Sequence, residues 1–287
     1  MDLRQLRHFL AIAREGGISA AARSLHMAQP PLSQQLKQLE EELDTTLVER
    51  GSRSIRLTEN GELLKNRAEQ ILAMVDSVRR EIKDSSAGAT GTLVIGAVSS
   101  SGLPDKVVNT FHQQYPGIHF ELHESNTYQV LDYLKTGRVE IGIVRTPFNS
   151  VDLSCLYADP EPMMAAYVGD NPFSAEPEIS VADLQDKPLI LYRRFELIVR
   201  EACEEAGFDP LVYCISDDAR TVLNWAKSGY GIAITPRSAM LRETALSGKI
   251  INHERLRTRL AAICMKNRYL STTAKRFLST YASIHRT

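Results

Sequence analysis

The sequence of 287 residues lacks a long hydrophobic run, and its 34 Lys plus Arg nearly balance its 35 Asp plus Glu. A helix that crosses a bilayer needs roughly 20 consecutive apolar residues, and none is present, so we expect no membrane partner. Residues 1–4 open an amphipathic segment, which differs from the apolar core of a signal peptide. These features predict a soluble, cytoplasmic protein.

Catalytic and metal-binding motifs are also missing. The serines within residues 96–102 do not fit the Gly-x-Ser-x-Gly elbow of hydrolases. Residues 229–231 hold two glycines but not the third one of a dinucleotide-binding motif. His119 and His123 lie on one face of a predicted strand, without the Cys or acidic pattern of a zinc site. We therefore predict that the protein is not an enzyme and needs no cofactor or metal.

The N-terminal residues contain a recognisable pattern. Residues 18–37 are predicted to form two short helices joined by a tight turn, as in a helix-turn-helix. Leucines at helical spacing supply the apolar side of the second helix. Pro30 and Pro31 suit the first turn of that helix, where a missing N–H costs nothing. Because its outer face is polar, the pattern predicts binding to double-stranded DNA.

Residues 47–58 follow as a predicted two-stranded wing with basic residues near its tip, so residues 1–58 are expected to form a winged helix-turn-helix domain. This domain has eight basic and seven acidic residues, which is less basic than is usual for DNA binding. A single copy should bind weakly, and affinity should come from several domains acting together. The candidate DNA contacts are Gln29, Pro30, Pro31, Ser33, Gln34, Lys37, Arg50 and Arg53.

Residues 59–90 are expected to form a long linker helix and a hinge. Apolar residues alternate spacings of four and three along this helix, which is typical of a coiled coil. An amphipathic helix packed on its own domain is the alternative. Residues 85–91 are small and lack an apolar period, as expected of a hinge. The residues predicted to join two subunits are Leu64, Ala68, Ile71, Val75, Val78 and Ile82.

The remaining residues, 91–287, alternate predicted strands and helices. Alternation of this kind predicts open sheets covered by helices, and the length favours two lobes rather than one small sheet. In such folds ligands lie at the carboxyl ends of strands, near helix N-termini. We therefore expect a two-lobed α/β domain that can hold a small molecule.

Residues 1–62 resemble the LysR-type transcriptional regulators, in the runs FLAIAREGGISAAARSLHMAQPPLSQQLKQLEEEL and LVERGSRSIRLTENG. The C-terminal part resembles the effector domain of the same family, more weakly, at residues 92–96, 111–116, 134–143 and 229–236. Two positions depart from the usual pattern. Ala28 replaces a frequent serine, which removes a helix-capping hydroxyl. Gln34 replaces a frequent arginine, which favours adenine over guanine unless Gln34 faces solvent or a phosphate.

The resemblance implies a periplasmic-binding-protein-like effector domain with a small-molecule effector between its lobes. The first lobe would comprise about residues 91–160 and 267–287, and the second about residues 161–266. It also implies pairing of two subunits through the linker helix and a homotetramer built from two dimers. RNA polymerase would be a further partner if the output is activation. Effector binding would shift the lobes and change the spacing of the DNA-binding dimers.

Candidate effector contacts follow where the family motifs match. Arg145 resembles an arginine of members that sense aromatic acids, and Thr127 opens a helix whose N-terminus could meet a carboxylate. We therefore expect an anionic, aromatic ligand. The alternative is that Arg145 and Arg193 make salt bridges between lobes or subunits. The full set of candidates is Ser99, Ser100, Ser101, Thr127, Arg145, Arg193 and Phe195.

The four cysteines, Cys155, Cys203, Cys214 and Cys264, leave a different function open. Some LysR-type relatives sense peroxide through two cysteines, and Cys203 with its following Glu-Glu-Ala-Gly resembles one of them. The partner cysteine expected upstream, near Arg193, is absent. The alternatives to an effector-controlled regulator are therefore a redox-sensing regulator and a small-molecule-binding protein with a secondary DNA role.

Overall fold

The computed structural model describes residues 1–50, 55–84, 90–103, 106–173, 175–240 and 243–285. Its internal contacts divide the chain into an N-terminal unit that contains residues 1–83 and a C-terminal unit that contains residues 84–135 and 139–287. Part of the predicted hinge, residues 85–89, lies outside the described residues. In the described ranges, no helix combines the length and hydropathy needed to cross a membrane.

The N-terminal unit begins with a capped helix. The Asp2 carboxylate accepts a hydrogen bond from the Gln5 N–H at 2.7 Å, and the Gln5 side chain accepts one from the Asp2 N–H at 2.8 Å. Gly16, with φ of 65°, ends this helix in the left-handed conformation. The elements are α1 (Leu3–Glu15), α2 (Ile18–Ser24), α3 (Gln29–Glu42), β1 (Val48–Arg50), β2 (Ile55–Leu57) and α4 (Glu59–Asp84).

One apolar cluster holds this unit together. Phe9 and Ile12 of α1 pack with the buried leucines of α3, Leu32, Leu36 and Leu39. The spacing of these leucines places one whole face of α3 in the core, so the opposite face is left to solvent. The helix-turn-helix of residues 18–37 and the wing predicted from the sequence correspond to α2–α3 and to the antiparallel pair β1–β2.

The C-terminal unit contains the alternating strands and helices. The first of them are β3 (Gly91–Val98), α5 (Lys106–Gln114), β4 (Ile118–Ser125), α6 (Thr127–Thr136), β5 (Ile141–Arg145) and β6 (Leu153–Tyr157). They are followed by β7 (Glu161–Tyr167), β8 (Glu178–Ile179), β9 (Leu189–Tyr192), α7 (Glu196–Glu205), β10 (Val212–Ser216), α8 (Ala219–Lys227), β11 (Ile232–Pro236), α9 (Arg237–Met240), β12 (Ser247–Ile251), β13 (Arg257–Thr258), β14 (Leu260–Met265) and α10 (Thr272–His285).

Two sheets define the two lobes. The first lobe has the strand order β4-β3-β5-β14-β6, in which β3 runs parallel to β4 and β5. The second lobe has the order β10-β9-β11-β7-β12-β8, and β13 pairs with β7. The chain crosses between the lobes at residues 158–160 and again at residue 259. Each sheet is covered by helices, with apolar clusters that include Phe111 and Phe277 in the first lobe.

The lobe boundary differs from the one predicted from the sequence. Leu260–Met265 was expected in the second lobe, but it forms β14 between β5 and β6 in the first sheet. Pairing there satisfies the backbone hydrogen bonds along one edge of each neighbouring strand. The first lobe therefore regains the chain at residue 260 instead of residue 267.

Candidate DNA interface and ligand cleft

The outer face of α3 carries the residues predicted to contact DNA. Gln29, Pro30, Pro31, Gln34 and Lys37 are exposed, and Ser33 is half-buried. Ala28 occupies the N-cap and makes no side-chain capping bond, as its residue type requires.

One charged side chain on this face already has a partner. Lys37 lies 3.1 Å from Glu41, and both side chains are exposed. An exposed pair of this kind is worth at most about 1 kcal/mol, so a phosphate can displace Glu41 readily. Of the two wing arginines, Arg53 and the side chain of Arg50 lie outside the described part of the chain.

The linker helix α4 uses its apolar residues in two ways. Leu64 packs against the core of the N-terminal unit, and Ala68 is fully buried, so both already have a role within this unit. Farther along, Ile71, Val78 and Ile82 are 38%, 46% and 69% exposed. Met74, which the sequence analysis did not single out, is 61% exposed at the same helical spacing. The exposed apolar stripe therefore comprises Ile71, Met74, Val78 and Ile82, with Val75 half-buried beside it.

The C-terminal unit has a cavity of about 310 Å³ between its lobes, which we call the cleft cavity. Thr127 reaches it from the first turn of α6 in the first lobe, and Arg194 reaches it from the turn after β9 in the second lobe. It lies beyond the carboxyl ends of β4 and β9, where ligands bind in open α/β sheets. The lining residues are Asn126, Thr127, Tyr128, Tyr192, Arg193, Arg194 and Asp217.

Two polar atoms in this cavity are buried without a hydrogen-bond partner in the described chain. They are Oγ1 of Thr127, a residue that is 2% exposed, and Nε of Arg194. The other end of the Arg194 guanidinium is fixed, because Nη2 donates to the carbonyls of Arg145, at 2.6 Å, and Pro147. Desolvation by burial lowers the pKa of Arg194. A buried group without a partner costs about 1–3 kcal/mol, which a ligand that accepts from both groups would offset.

Arg145, which was predicted to face the cleft, does not line the cleft cavity. Its side chain is 0% exposed and its guanidinium donates to Glu161 at 2.5 Å, to Ser238 Oγ at 2.5 Å and to the Ser100 carbonyl at 2.8 Å. Glu161 and Ser238 belong to the second lobe, so the alternative of a salt bridge between lobes describes Arg145. A buried guanidinium requires such a counter-charge, because desolvation lowers its pKa.

Arg193 and Phe195 also differ from a simple cleft-lining role. Arg193 borders the cleft cavity, but its Nε donates to Asp217 at 2.6 Å, so the charge is paired within the second lobe. Phe195 is buried against Tyr192. The neighbouring Arg194 provides the unpartnered donor instead, and the sequence analysis missed it. The pair Arg193-Arg194 was the available signal, but the short turn at residues 193–195 decides which of the two enters the cavity.

The serines after β3 fasten the lobes together. Ser99 Oγ accepts a hydrogen bond from the Ala219 N–H at 3.1 Å, across the two lobes. Ser100 is fully buried, and both its carbonyl and its hydroxyl accept from Arg145. Ser101 is buried too and accepts from the Leu103 N–H at 3.4 Å. None of the three lines the cleft cavity in this arrangement.

The four cysteines are free thiols. Cys203 is fully buried, and desolvation raises its pKa to about 11, so it is a poor source of thiolate. Cys155 lies opposite Ile263 and Cys264 lies opposite Ser154 in the β6–β14 pair, so these two side chains point to opposite faces of the sheet. Cys214 lies in the other lobe. This arrangement favours the interpretation of the cysteines as small hydrophobic residues.

Comparison with known proteins agrees with both units. Residues 3–62 match the family model of the bacterial regulatory helix-turn-helix protein, lysR family, and residues 86–283 match that of the LysR substrate binding domain. The chain belongs to the LysR family. This LysR-type transcriptional regulator carries a DNA-binding helix-turn-helix and an effector-binding domain.

Two curated relatives extend over most of the LysR-type regulator. It is 33% identical over 251 residues to the HTH-type transcriptional regulator AlsR of Bacillus subtilis (strain 168), with 83% of this chain and 82% of the relative covered. It is 32% identical over 295 residues to the HTH-type transcriptional regulator BudR of Raoultella terrigena, with coverage of 98% and 100%. The crystal structure of CbnR, a LysR family transcriptional regulator, has the same fold, with a TM-score of 0.82 at 23% identity and full coverage of both chains.

Proposed function

We propose that this LysR-type regulator contacts DNA bases with the outer face of α3 and is controlled by a small carboxylate in the cleft cavity. The observation that supports the second part is the pair of buried, unpartnered donors from opposite lobes, Thr127 Oγ1 and Arg194 Nε. A carboxylate has two oxygens and can accept from both donors at once, and the N-terminus of α6 favours its negative charge.

The size of the cleft cavity limits the ligand. A volume of about 310 Å³ corresponds to about ten water molecules, so the effector is a small acid. Tyr128 and Tyr192 supply ring surface on either side, which is compatible with an aliphatic or an aromatic body. Because the ligand would bind groups of both lobes, it would favour the arrangement in which these groups are closest. The names of the curated relatives support a regulatory, non-catalytic role.

The effector site can be tested by thermal unfolding of the full-length protein with sodium acetate, propionate and benzoate, and with the corresponding amides. We expect at least one acid to raise the unfolding temperature while its neutral amide does not. Thr127→Val keeps the side-chain shape and removes the hydroxyl, so it should abolish this rise. Thr221→Val, at an exposed position of α8, is the matched control and should retain it. An equal rise in Thr127→Val would refute the assignment.

We further propose that two copies pair along the exposed apolar stripe of α4 and so present two α3 helices to DNA. Met74 lies near the middle of this stripe, and a charge there would have to be buried in the dimer. Met74→Lys should therefore lower the oligomeric state in sedimentation equilibrium, whereas Asn66→Lys, at an exposed polar position of the same helix, should not. Unchanged assembly of Met74→Lys would exclude this stripe as the subunit interface.

A further inference from the structure

A second cavity, of about 420 Å³, lies where the chain crosses between the lobes, and the proposed effector site does not use it. We call it the crossover cavity. Its walls come from both crossing segments and from helices α5, α9 and α10. The residues that matter most here are Lys106, Val107, Ala158, Glu161, Leu260 and Ile284.

The wall of the crossover cavity is mostly apolar. Val107 and Ala158 are buried, and Leu260 and Ile284 are half-buried beside the opening. Aliphatic side chains supply this surface, and no aromatic ring lines it. A pocket of this kind binds the apolar body of a ligand by removing both surfaces from water.

The charge that remains available at the rim is positive. Both oxygens of Glu161 are engaged: Oε1 accepts from Arg145 and from Ser238 Oγ at 2.9 Å, and Oε2 accepts from the Ser238 N–H at 2.6 Å. Asp159 also has a partner, and the His285 ring packs against Tyr281. By contrast, Lys106 is exposed and makes no ion pair with any residue that the structure describes. An anionic group is the ligand chemistry that complements this lysine.

Arg145 connects the crossover cavity to the cleft cavity. Its guanidinium donates to Glu161 and Ser238, which line the crossover cavity, while its carbonyl accepts from Arg194, which lines the cleft cavity. The crossover cavity also touches both segments through which one lobe must move against the other. A ligand bound there would therefore favour one arrangement of the lobes over others.

We propose that the crossover cavity is a second ligand site and that it binds a small aliphatic monocarboxylate. The hydrocarbon body lies on the wall formed by Val107, Ala158, Leu260 and Ile284, and the carboxylate pairs with the Lys106 ammonium group. This site is separate from the cleft cavity, so its existence does not depend on the identity or the presence of an effector there.

The test is calorimetric titration of the full-length protein with sodium hexanoate. We expect saturable binding that Lys106→Gln weakens about tenfold or more, the equivalent of one charge-assisted hydrogen bond. Lys275→Gln removes an exposed lysine of α10 that does not line the crossover cavity, and it should change the affinity less than about twofold. Thr127→Val, in the cleft cavity, should likewise leave hexanoate binding unchanged.

Hydrogen exchange of the same samples locates the bound hexanoate independently of any variant. We expect slower exchange in residues 158–161 and 281–285 and no change in residues 126–130. The proposal is overturned if hexanoate shows no saturable binding up to about 10 mM, or if Lys106→Gln binds as well as the wild type. Protection of residues 126–130 together with loss of binding in Thr127→Val would also overturn it, and would at the same time support the cleft site.

Discussion

Replacing Glu161 by Ala removes the only carboxylate that contacts the buried guanidinium of Arg145 among the described residues. Arg145 is 0% exposed, and the neutral acceptors that remain are Ser100 and Ser238. Breaking a buried ion pair from one side costs about 3–5 kcal/mol, because an uncompensated charge stays buried. The Glu161 side chain is 18% exposed, so water can reach part of the vacated space, and we expect about 3 kcal/mol.

Urea unfolding measures this loss in the right domain, because the single tryptophan of the chain, Trp225, lies in α8 of the second lobe. Glu161→Gln keeps an acceptor for Arg145 and should lose less, about 1–2 kcal/mol. Glu124→Ala breaks the exposed inter-lobe pair with Arg220, 3.0 Å apart, and should cost less than about 1 kcal/mol. The reasoning is refuted if Glu161→Ala unfolds at the same urea concentration as Glu124→Ala.

Three further predictions concern packing, thiol reactivity and pH. Gly142→Ala would place its Cβ 2.9 Å from Leu134 Cδ1 inside the first lobe, so we expect about 1–3 kcal/mol of destabilisation in urea unfolding. Cys203, with its pKa raised to about 11, should react with iodoacetamide at pH 8 far more slowly in the folded than in the unfolded protein. Hydrogen bonds from the Ser180 hydroxyl and N–H lower the pKa of Asp183, so this pair stabilises the fold above the ordinary value of 3.8 and the gain is lost as the pH falls through the lowered pKa. NMR titration should show the Asp183 pKa rising in Ser180→Ala.

Periodicity predicted the elements whose two faces differ strongly. The leucines of α3 recur at helical spacing, and the run Leu260–Met265 is apolar enough to be recognised as a strand, which the structure confirms for β14. The strands that the sequence analysis missed, β6, β8, β12 and β13, are short or only partly buried, so they carry no clear apolar signal. The lobe to which β14 belongs depends on pairing with β5 and β6, which are far away in sequence, and no local pattern encodes such pairing.

The sites were predicted unevenly for a similar reason. Outward-facing residues of α3 follow from helix geometry alone, because one face is fixed by the core. In the cleft, Thr127 was found from its position after β4, but local sequence could not show that Arg145 is paired with Glu161 or that Arg194 enters the cavity. Those facts depend on contacts between the lobes. In α4, the stripe predicted to join subunits begins with Leu64, which the core of its own unit already uses.

The central claim is that α3 determines which DNA sequence this LysR-type regulator binds. The most direct measurement is selection of binding sites from a random DNA pool by the full-length wild type and by Ser33→Ala, Gln34→Ala and the control Asn66→Ala. We predict a defined pair of half-sites for the wild type and the control, and a loss of preference worth about 1–3 kcal/mol at one base position in at least one of the α3 variants. An unchanged motif in both α3 variants, or no sequence preference in the wild type, would contradict the account.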